Sequence, residues 1–382
     1  MAFLSVLCLG VGLVLGCGGD DDSGSNPVAD DDADDDGGDD DGGDGDEEDD
    51  DAAVVDDDTW PPLPDDDSVG DDDHEPIIVM TFNVGTTPGL FHDLGDDGYT
   101  SEMADIADEF YENSLSWNPA EEALGEYVAE IRPAVAVFQE NFYDPWCEQI
   151  PVDPELDFVC RDYSPDRPTQ LERVFGPDYQ VACSQDHPDN CGVVRRDFAS
   201  FAGCDDESFC LDGFFGMAPP SGCTSRTRAW SVALNRTNGA DWTLVNVHAS
   251  SGFEGDVRAC RADQFRQIFE DRGDGQPLAD GDVNLVMGDI NTDPFLAPVI
   301  DESARVWNQH VGDGLPFDYL SADRAGVDPS YALILHVDHV VSDELTGTCV
   351  VPGVTDGVPP VMDAIYWDHK PIVCRISSES VK

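Results

Sequence analysis

The sequence predicts an α/β or α+β fold in which helices cover a β-sheet core. Several short runs are apolar throughout and rich in β-branched residues, as strands buried on both faces are, and stretches of helical spacing separate them. Continuity is the third observation. No change of composition interrupts residues 76–382, so one large domain is expected there.

The elements follow in order. PIIVMTFN (76–83) reads as a buried strand bounded by Pro76 and Gly85, and residues 101–117 and 120–131 carry helical spacing, with Pro119 at a helix start. AVAVFQE (134–140) is the next strand. Further strands are expected at 228–235 (RAWSVALN), 242–248 (WTLVNVH), 283–288 (VNLVMG), 333–341 (LILHVDHVV) and 370–376 (KPIVCRI), with helices over 256–272 and 296–308.

Ahead of this domain the chain changes character. MAFLSVLCLGVGLVLGC opens with an apolar run, Phe3 to Leu15, too short to span a bilayer and of the length of a signal-peptide core. Val14-Leu15-Gly16-Cys17 resembles a bacterial lipobox, which would make Cys17 the lipidated first residue of the mature chain, although no Lys or Arg precedes the run. An ordinary secretory signal or a misplaced start codon is the alternative. The expected organisation is a signal with lipobox (1–17), a disordered acidic tether (18–75) that has almost nothing to bury, and one folded domain (76–382). Lipid anchoring at the cell envelope, or secretion, follows.

The chain holds 82 acidic and 18 basic residues, a formal charge of -64. Residues 18–76 contain 29 of the acids and no Lys or Arg, leaving 53 acids against 18 bases elsewhere. Non-specific attraction to nucleic acid or anionic lipid is therefore disfavoured. Lys370 and Lys382 are the chain's lysines, and such a surface suits high salt. Of 12 cysteines, setting aside Cys8 and Cys17 leaves an even number, none in C-x-x-C spacing, so disulfides of an exported protein are expected rather than a zinc ribbon. Cys204 with Cys210 and Cys349 with Cys374 are the first pairings expected, and the cysteine-rich stretch 147–223 reads as stapled loops.

The expected strands share a peculiarity: they meet polar residues at their ends. Asn83, Glu140, His248 and Asp289 with Asn291 close four of them, Asp368-His369 introduces the last, and Asp338 lies within LILHVDHVV. Strand tips in layered α/β proteins meet at one rim, so these side chains can converge although scattered in sequence. Carboxylates, amides and imidazoles at a rim suit a hard divalent cation and a water. Asp289-x-Asn291-x-Asp293 also imitates the start of an EF-hand loop, but Pro294 and Ile300 occupy the positions that need Gly and Glu, and a strand precedes it.

In order and completeness, MTFNVG (80–85), VFQE (137–140), VNVHASS (245–251), MGDINTDP (287–294), HVDHVVS (336–342) and YWDHKPIV (366–373) resemble the motifs of the endonuclease/exonuclease/phosphatase family, over roughly residues 76–376. The resemblance implies a four-layered sandwich of two mixed β-sheets flanked by helices. It implies metal-dependent hydrolysis of phosphate esters, with Glu140, Asn83 and Asp368 holding Mg2+ (or Mn2+ or Ca2+). His369 would be the base on water, oriented by Asp338; Asp289 would align the water; Asn291 and His248 would donate to phosphate oxygens. No glutamate partner for His248 is identifiable from sequence. The implied activity is an extracytoplasmic phosphodiesterase, a phospholipid headgroup or small phosphodiester being favoured over nucleic acid by charge. A secreted endonuclease and a non-catalytic surface lipoprotein are the alternatives, and a monomer is expected. Arg226 and Arg228 either reach the phosphate or neutralise the acidic surface; CRADQ (260–264) is a packing helix; GFFGMAPP (213–220) is a loop core or a lipid contact.

Overall fold

The computed structural model describes residues 76–85, 116–150, 157–204, 207–211, 214–216, 223, 229–271, 274–296, 298–320, 329–331, 335–352 and 367–376. Expectations about the signal, Cys17, the tether, most of helix 101–117, Arg226, Arg228 and most of GFFGMAPP lie outside them. In chain order the elements are β1 (Ile77–Asn83), α1 (Asn118–Ile131), β2 (Val135–Gln139), α2 (Gln170–Phe175), β3 (Tyr179–Cys183), β4 (Cys191–Arg195), β5 (Ala199–Phe201), β6 (Phe209–Cys210), β7 (Phe215–Gly216), β8 (Ala229–Arg236), β9 (Trp242–His248), α3 (Gly255–Phe269), β10 (Asn284–Asp289), α4 (Glu302–His310), β11 (Asp318–Tyr319), β12 (Asp338–Ser342), β13 (Gly347–Val350) and β14 (Ile372–Ile376).

The strands form two mixed sheets. The first runs β13-β14-β1-β2-β4-β3-β6; the second runs β11-β12-β10-β9-β8-β5, with β7 also on β8. Each is centred on one parallel pair, β1 with β2 and β10 with β9, and on the far side of β1 and of β10 lies an antiparallel strand, β14 or β12. An antiparallel strand starts where its partner ends. The starts of β12 and β14 therefore lie at the same edge as the ends of β10 and β1.

The fully apolar strands are explained by what covers them. Val79, Val135 and Val137 of the first sheet pack with Leu244, Leu285 and Met287 of the second in one buried cluster. On the outer face of the second sheet, Val245, Val247 and Val286 meet Phe265 and Ile268 of α3 and Trp307 of α4. Both faces of β9 and β10 are thus dry, which is why they read as continuous apolar runs. In α1, Ala120, Leu124, Tyr127, Val128 and Ile131 make the buried stripe, Pro119 occupies the first turn, and the helix stops where Arg132 turns left-handed (φ 49°). The α/β sandwich architecture expected from sequence is present.

Four local expectations are corrected. Trp117 pairs with Phe158 in an isolated bridge and is not helical. The helix expected over 296–308 begins only at Glu302, because the Asp301 carboxylate accepts the Ser303 N–H as N-cap while Asp293 caps the preceding turn at Phe295 and Leu296. Asp338 opens β12 rather than lying inside a strand. The stretch 147–223 holds α2 and five short strands, since its cysteines act as buried apolar residues: Cys183 and Cys191 are register partners of the β3–β4 hairpin and are disulfide-bonded.

Both expected disulfides, Cys204–Cys210 and Cys349–Cys374, are formed, the latter between register partners of β13 and β14. Cys147–Cys160 and Cys223–Cys260 accompany them. Phe214, from the apolar loop segment, packs on the inter-sheet core.

Candidate active site

Register places the polar residues. Asp289, the last residue of β10, is level with His248 on one side and Asp338 on the other. In the first sheet Asn83 is level with Gln139, and Glu140 follows immediately. His369 precedes β14, whose first residue pairs with Thr81 near the end of β1. The structure brings all eight strand-end residues named from sequence to this one rim.

Asp289 is the hub. Its Oδ2 accepts from Asn83 Nδ2 at 3.1 Å and Asn291 Nδ2 at 2.9 Å, its Oδ1 accepts from the Asn291 N–H at 2.7 Å, and Nε2 of His248 and Nε2 of His369 each stand 3.9 Å from Oδ2. Asn291 also donates to the Ala249 carbonyl at 3.0 Å, so its amide is engaged in orienting Asp289. Asn291 takes a left-handed backbone (φ 51°), which asparagine tolerates. Gly288 is required beside it: a Cβ there would lie 2.0 Å from the Val247 carbonyl of the neighbouring strand.

His369 Nδ1 lies 2.8 Å from Asp338 Oδ2, and its Nε2 lies 4.0 Å from Asp368 Oδ1. Burial opposes charging this imidazole. The Asp338 carboxylate outweighs burial through its charge and hydrogen bond, with Asp289 and Asp368 adding to it, and lifts the pKa well above the ordinary histidine value. Asp289 moves upward too, because burial disfavours its charge and Asp338 repels it, while the neighbouring His369 and His248 partly pull it back. Three carboxylates facing one imidazole leave a site with surplus negative charge.

Glu140 supplies the other half of the rim. It sits in the left-handed region (φ 58°), where a glutamate costs on the order of 1–3 kcal/mol, and its Oε1 lies 3.0 Å from His248 Nε2. The partner of His248 invisible in the sequence is therefore Glu140 itself, and the buried Nδ1 of His248 has no hydrogen-bond partner among the described residues. A Cβ on Gly85 would fall 1.8 Å from Glu140 Oε2 and 3.1 Å from Asn83 Oδ1, so two oxygen donors border the space that the missing side chain leaves. Among the described residues no three His, Cys, Asp or Glu side chains form a ready-made metal cage. A hard cation such as Mg2+ asks for less, one or two carboxylates with an amide oxygen, water and substrate oxygens, and this donor set fits it.

The CRADQ helix does more than pack. Arg261, fully buried, donates from Nη1 to the Ser250 and Gly252 carbonyls (2.6 and 3.2 Å), from Nη2 to Asp301 Oδ2 (2.7 Å) and from Nε to Ser303 Oγ (2.8 Å). Gln264 Oε1 accepts the Ser250 N–H at 2.9 Å. One helix thus fixes the loop that leaves His248. Sequence reasoning also missed Gln139, whose Nε2 donates to Asn246 Oδ1 at 2.7 Å between the sheets beneath the rim; its place one residue before Glu140, at the polar end of an apolar strand, was the available signal.

No family model matches the chain, and no curated protein matches it. Among solved structures it is similar to the catalytic domain of human nocturnin with bound sulfate (16% identity, 80% of this chain and 94% of that one, TM-score 0.46). It is similar also to a mannosyl-6-phosphatase of Bacteroides thetaiotaomicron (13%, 79% and 99%, TM-score 0.46) and to an endonuclease/exonuclease/phosphatase family protein of the same organism (12%, 78% and 94%, TM-score 0.45). Values this low leave the assignment to the chemistry of the site.

Proposed function

We propose that the chain is a divalent-metal-dependent phosphodiesterase of the endonuclease/exonuclease/phosphatase type, working outside the cytoplasm on phospholipid headgroups or similar small diesters. The observation that carries it is the His369–Asp338 pair at 2.8 Å, standing over Asp289 at the rim that also holds Glu140 and Asn83. Glu140 and Asn83 would hold the cation, with Asp368 on the His369 side. A cation held by these residues would neutralise charge on the phosphoryl group and offset the carboxylate field around His369.

The residues divide the remaining work. Asp338 accepts a hydrogen bond from the Nδ1–H of His369 and so presents Nε2 to the attacking water. Asp289, fixed by two asparagines, orients that water. His248 would donate toward the phosphoryl oxygens from Nε2, the atom that faces Glu140 in the absence of substrate and cation, as charge develops.

A further observation favours a lipid-borne substrate. Five large hydrophobic side chains are exposed among the described residues, and four of them, Phe253, Leu296, Val299 and Ile300, lie on the two loops that leave β9 and β10 at the rim. Their exposure supports contact with an apolar surface, and the acidic composition disfavours a nucleic-acid backbone. We extend the proposal to export and anchoring through Cys17, which labelling with radioactive palmitate would test: the label should vanish in Cys17→Ser. For the activity, plasmid DNA, sphingomyelin vesicles and bis-p-nitrophenyl phosphate are offered with Mg2+. Hydrolysis of the last two is expected. Plasmid nicking without lipid hydrolysis would overturn the substrate class, and inertness toward all three would overturn the activity.

A further inference from the structure

The His369–Asp338 pair straddles the two sheets. Asp338 opens β12 of the second sheet, whereas His369 leads into β14 of the first, and no ladder joins β12 to β14. Strand register alone therefore cannot set the angle between imidazole and carboxylate. Something else must.

Residues 329–331 lie between them. Ser330, 2% exposed, accepts the Asp338 N–H on its Oγ at 3.2 Å and the Lys370 N–H on its carbonyl at 2.7 Å. One residue thus bonds to the backbone of the carboxylate and to the residue after the imidazole. Tyr331 continues the clasp: it forms an isolated antiparallel bridge with His369, and its half-buried ring lies 4.6 Å from the imidazole, centroid to centroid, inclined at 46°. The clasp is itself fastened, since the N–H groups of Ser330 and Tyr331 both donate to the Leu335 carbonyl and the Leu335 N–H returns to Tyr331, each at 3.1 Å. Backbone bonds and one hydroxyl fix where the pair stands, and an aromatic face limits how the imidazole can tilt.

We infer that Ser330 and Tyr331 are positioning residues of the dyad, Ser330 as the crosspiece tying Asp338 to His369 across the sheets and Tyr331 as the wall that seats the imidazole. This rests on the reading of the dyad as the water-activating pair. Neither residue carries a proton in the reaction. Both act through His369, so their loss lowers the fraction of chains whose Nε2 points at the water.

The test uses the full chain and two readouts. In 1H NMR, an imidazole Nδ1 proton bonded to a carboxylate gives a low-field resonance, assigned here by its loss in His369→Ala and Asp338→Asn. Ser330→Ala and Tyr331→Leu are expected to shift or broaden that resonance, and to lower kcat on bis-p-nitrophenyl phosphate by about 10- to 100-fold with KM within about twofold. Tyr331→Phe, which keeps the ring, is expected to retain both. A resonance and kcat that stay in place in Ser330→Ala and Tyr331→Leu, whatever happens to melting temperature, would overturn the inference; Ser330→Ala decides alone should Tyr331→Leu not fold. Because the resonance needs no substrate, an unsubstituted chain that hydrolyses nothing would sink the reading of the site while the crosspiece is still judged by the spectrum.

Discussion

Two buried polar clusters share the loop that leaves β9, with His248 in one and Ser250 in the other, and differ in how completely they are satisfied. Around Arg261, the guanidinium donates to Ser250, Gly252, Asp301 and Ser303, and Asp301 spends one oxygen on Ser303 and the other on Arg261 and Thr292. The guanidinium's charge is balanced and its donors meet acceptors, although the Ser250 hydroxyl has no partner among the described residues. Around Asp289, three carboxylates crowd one imidazole, and Asp338 Oδ1 and His248 Nδ1 are buried without hydrogen-bond partners among the described residues. The closed cluster is spent on holding loops in place, while the open one keeps unsatisfied groups that a cation, a water and a phosphoryl group can complete.

That contrast is broken most severely at the open cluster by Asp338→Asn. Turnover of bis-p-nitrophenyl phosphate is expected to fall about ten-thousand-fold, as when an orienting carboxylate is lost from a histidine base. The closed cluster should answer in stability rather than in turnover. Asp301→Ala leaves Arg261 buried and unpaired and removes the N-cap of α4, so urea denaturation should report a loss of about 3–5 kcal/mol.

A pH experiment sharpens the comparison with a third group. His339 lies near Trp307, Tyr319 and Phe295, with Nε2 2.9 Å from the His336 carbonyl. Burial pushes its pKa down from 6.5 to about 4, the His336 carbonyl and the Asp338 and Asp293 charges only partly opposing it. Because the folded value lies below the unfolded one, the unfolded chain takes up the proton first. Stability is therefore full above pH 6.5 and declines by about 3 kcal/mol as pH falls toward 4. Urea midpoints across that window should flatten in His339→Gln. The smallest effect belongs to the exposed loops: Phe253→Ser with Ile300→Ser should lower hydrolysis of vesicle lipid about tenfold, near 1.4 kcal/mol, and leave the soluble diester unaffected.

The central strands and the rim were legible in sequence, and for one reason. A strand buried on both faces is apolar except where a polar side chain finds a partner, as Asn246 does with Gln139, so β9 and β10 read as mainly apolar up to His248 and Asp289, where the chemistry changes. The cysteine pairs 204/210 and 349/374 were legible because they are close in sequence or isolated from the rest. What failed was non-local or disguised. The strands of 147–223 were hidden because Cys and Gly stand where Val or Ile would announce a strand, as Cys191 and Gly192 do in β4. The start of α4 depended on the Asp301 cap winning over apparent periodicity. Glu140 facing His248, and Ser330 beneath the dyad, arise from backbone turns and cross-sheet hydrogen bonds that leave no periodic mark.

On the proposed reading, the open cluster works by taking up a divalent cation through Glu140. The Mg2+ dependence of bis-p-nitrophenyl phosphate turnover, measured for the unsubstituted chain and for Glu140→Gln, addresses it directly. EDTA should abolish activity, Mg2+ should restore it, and the Mg2+ concentration giving half-maximal rate should rise about 10- to 100-fold in Glu140→Gln. Turnover that survives EDTA, or an identical Mg2+ curve for both chains, would contradict it.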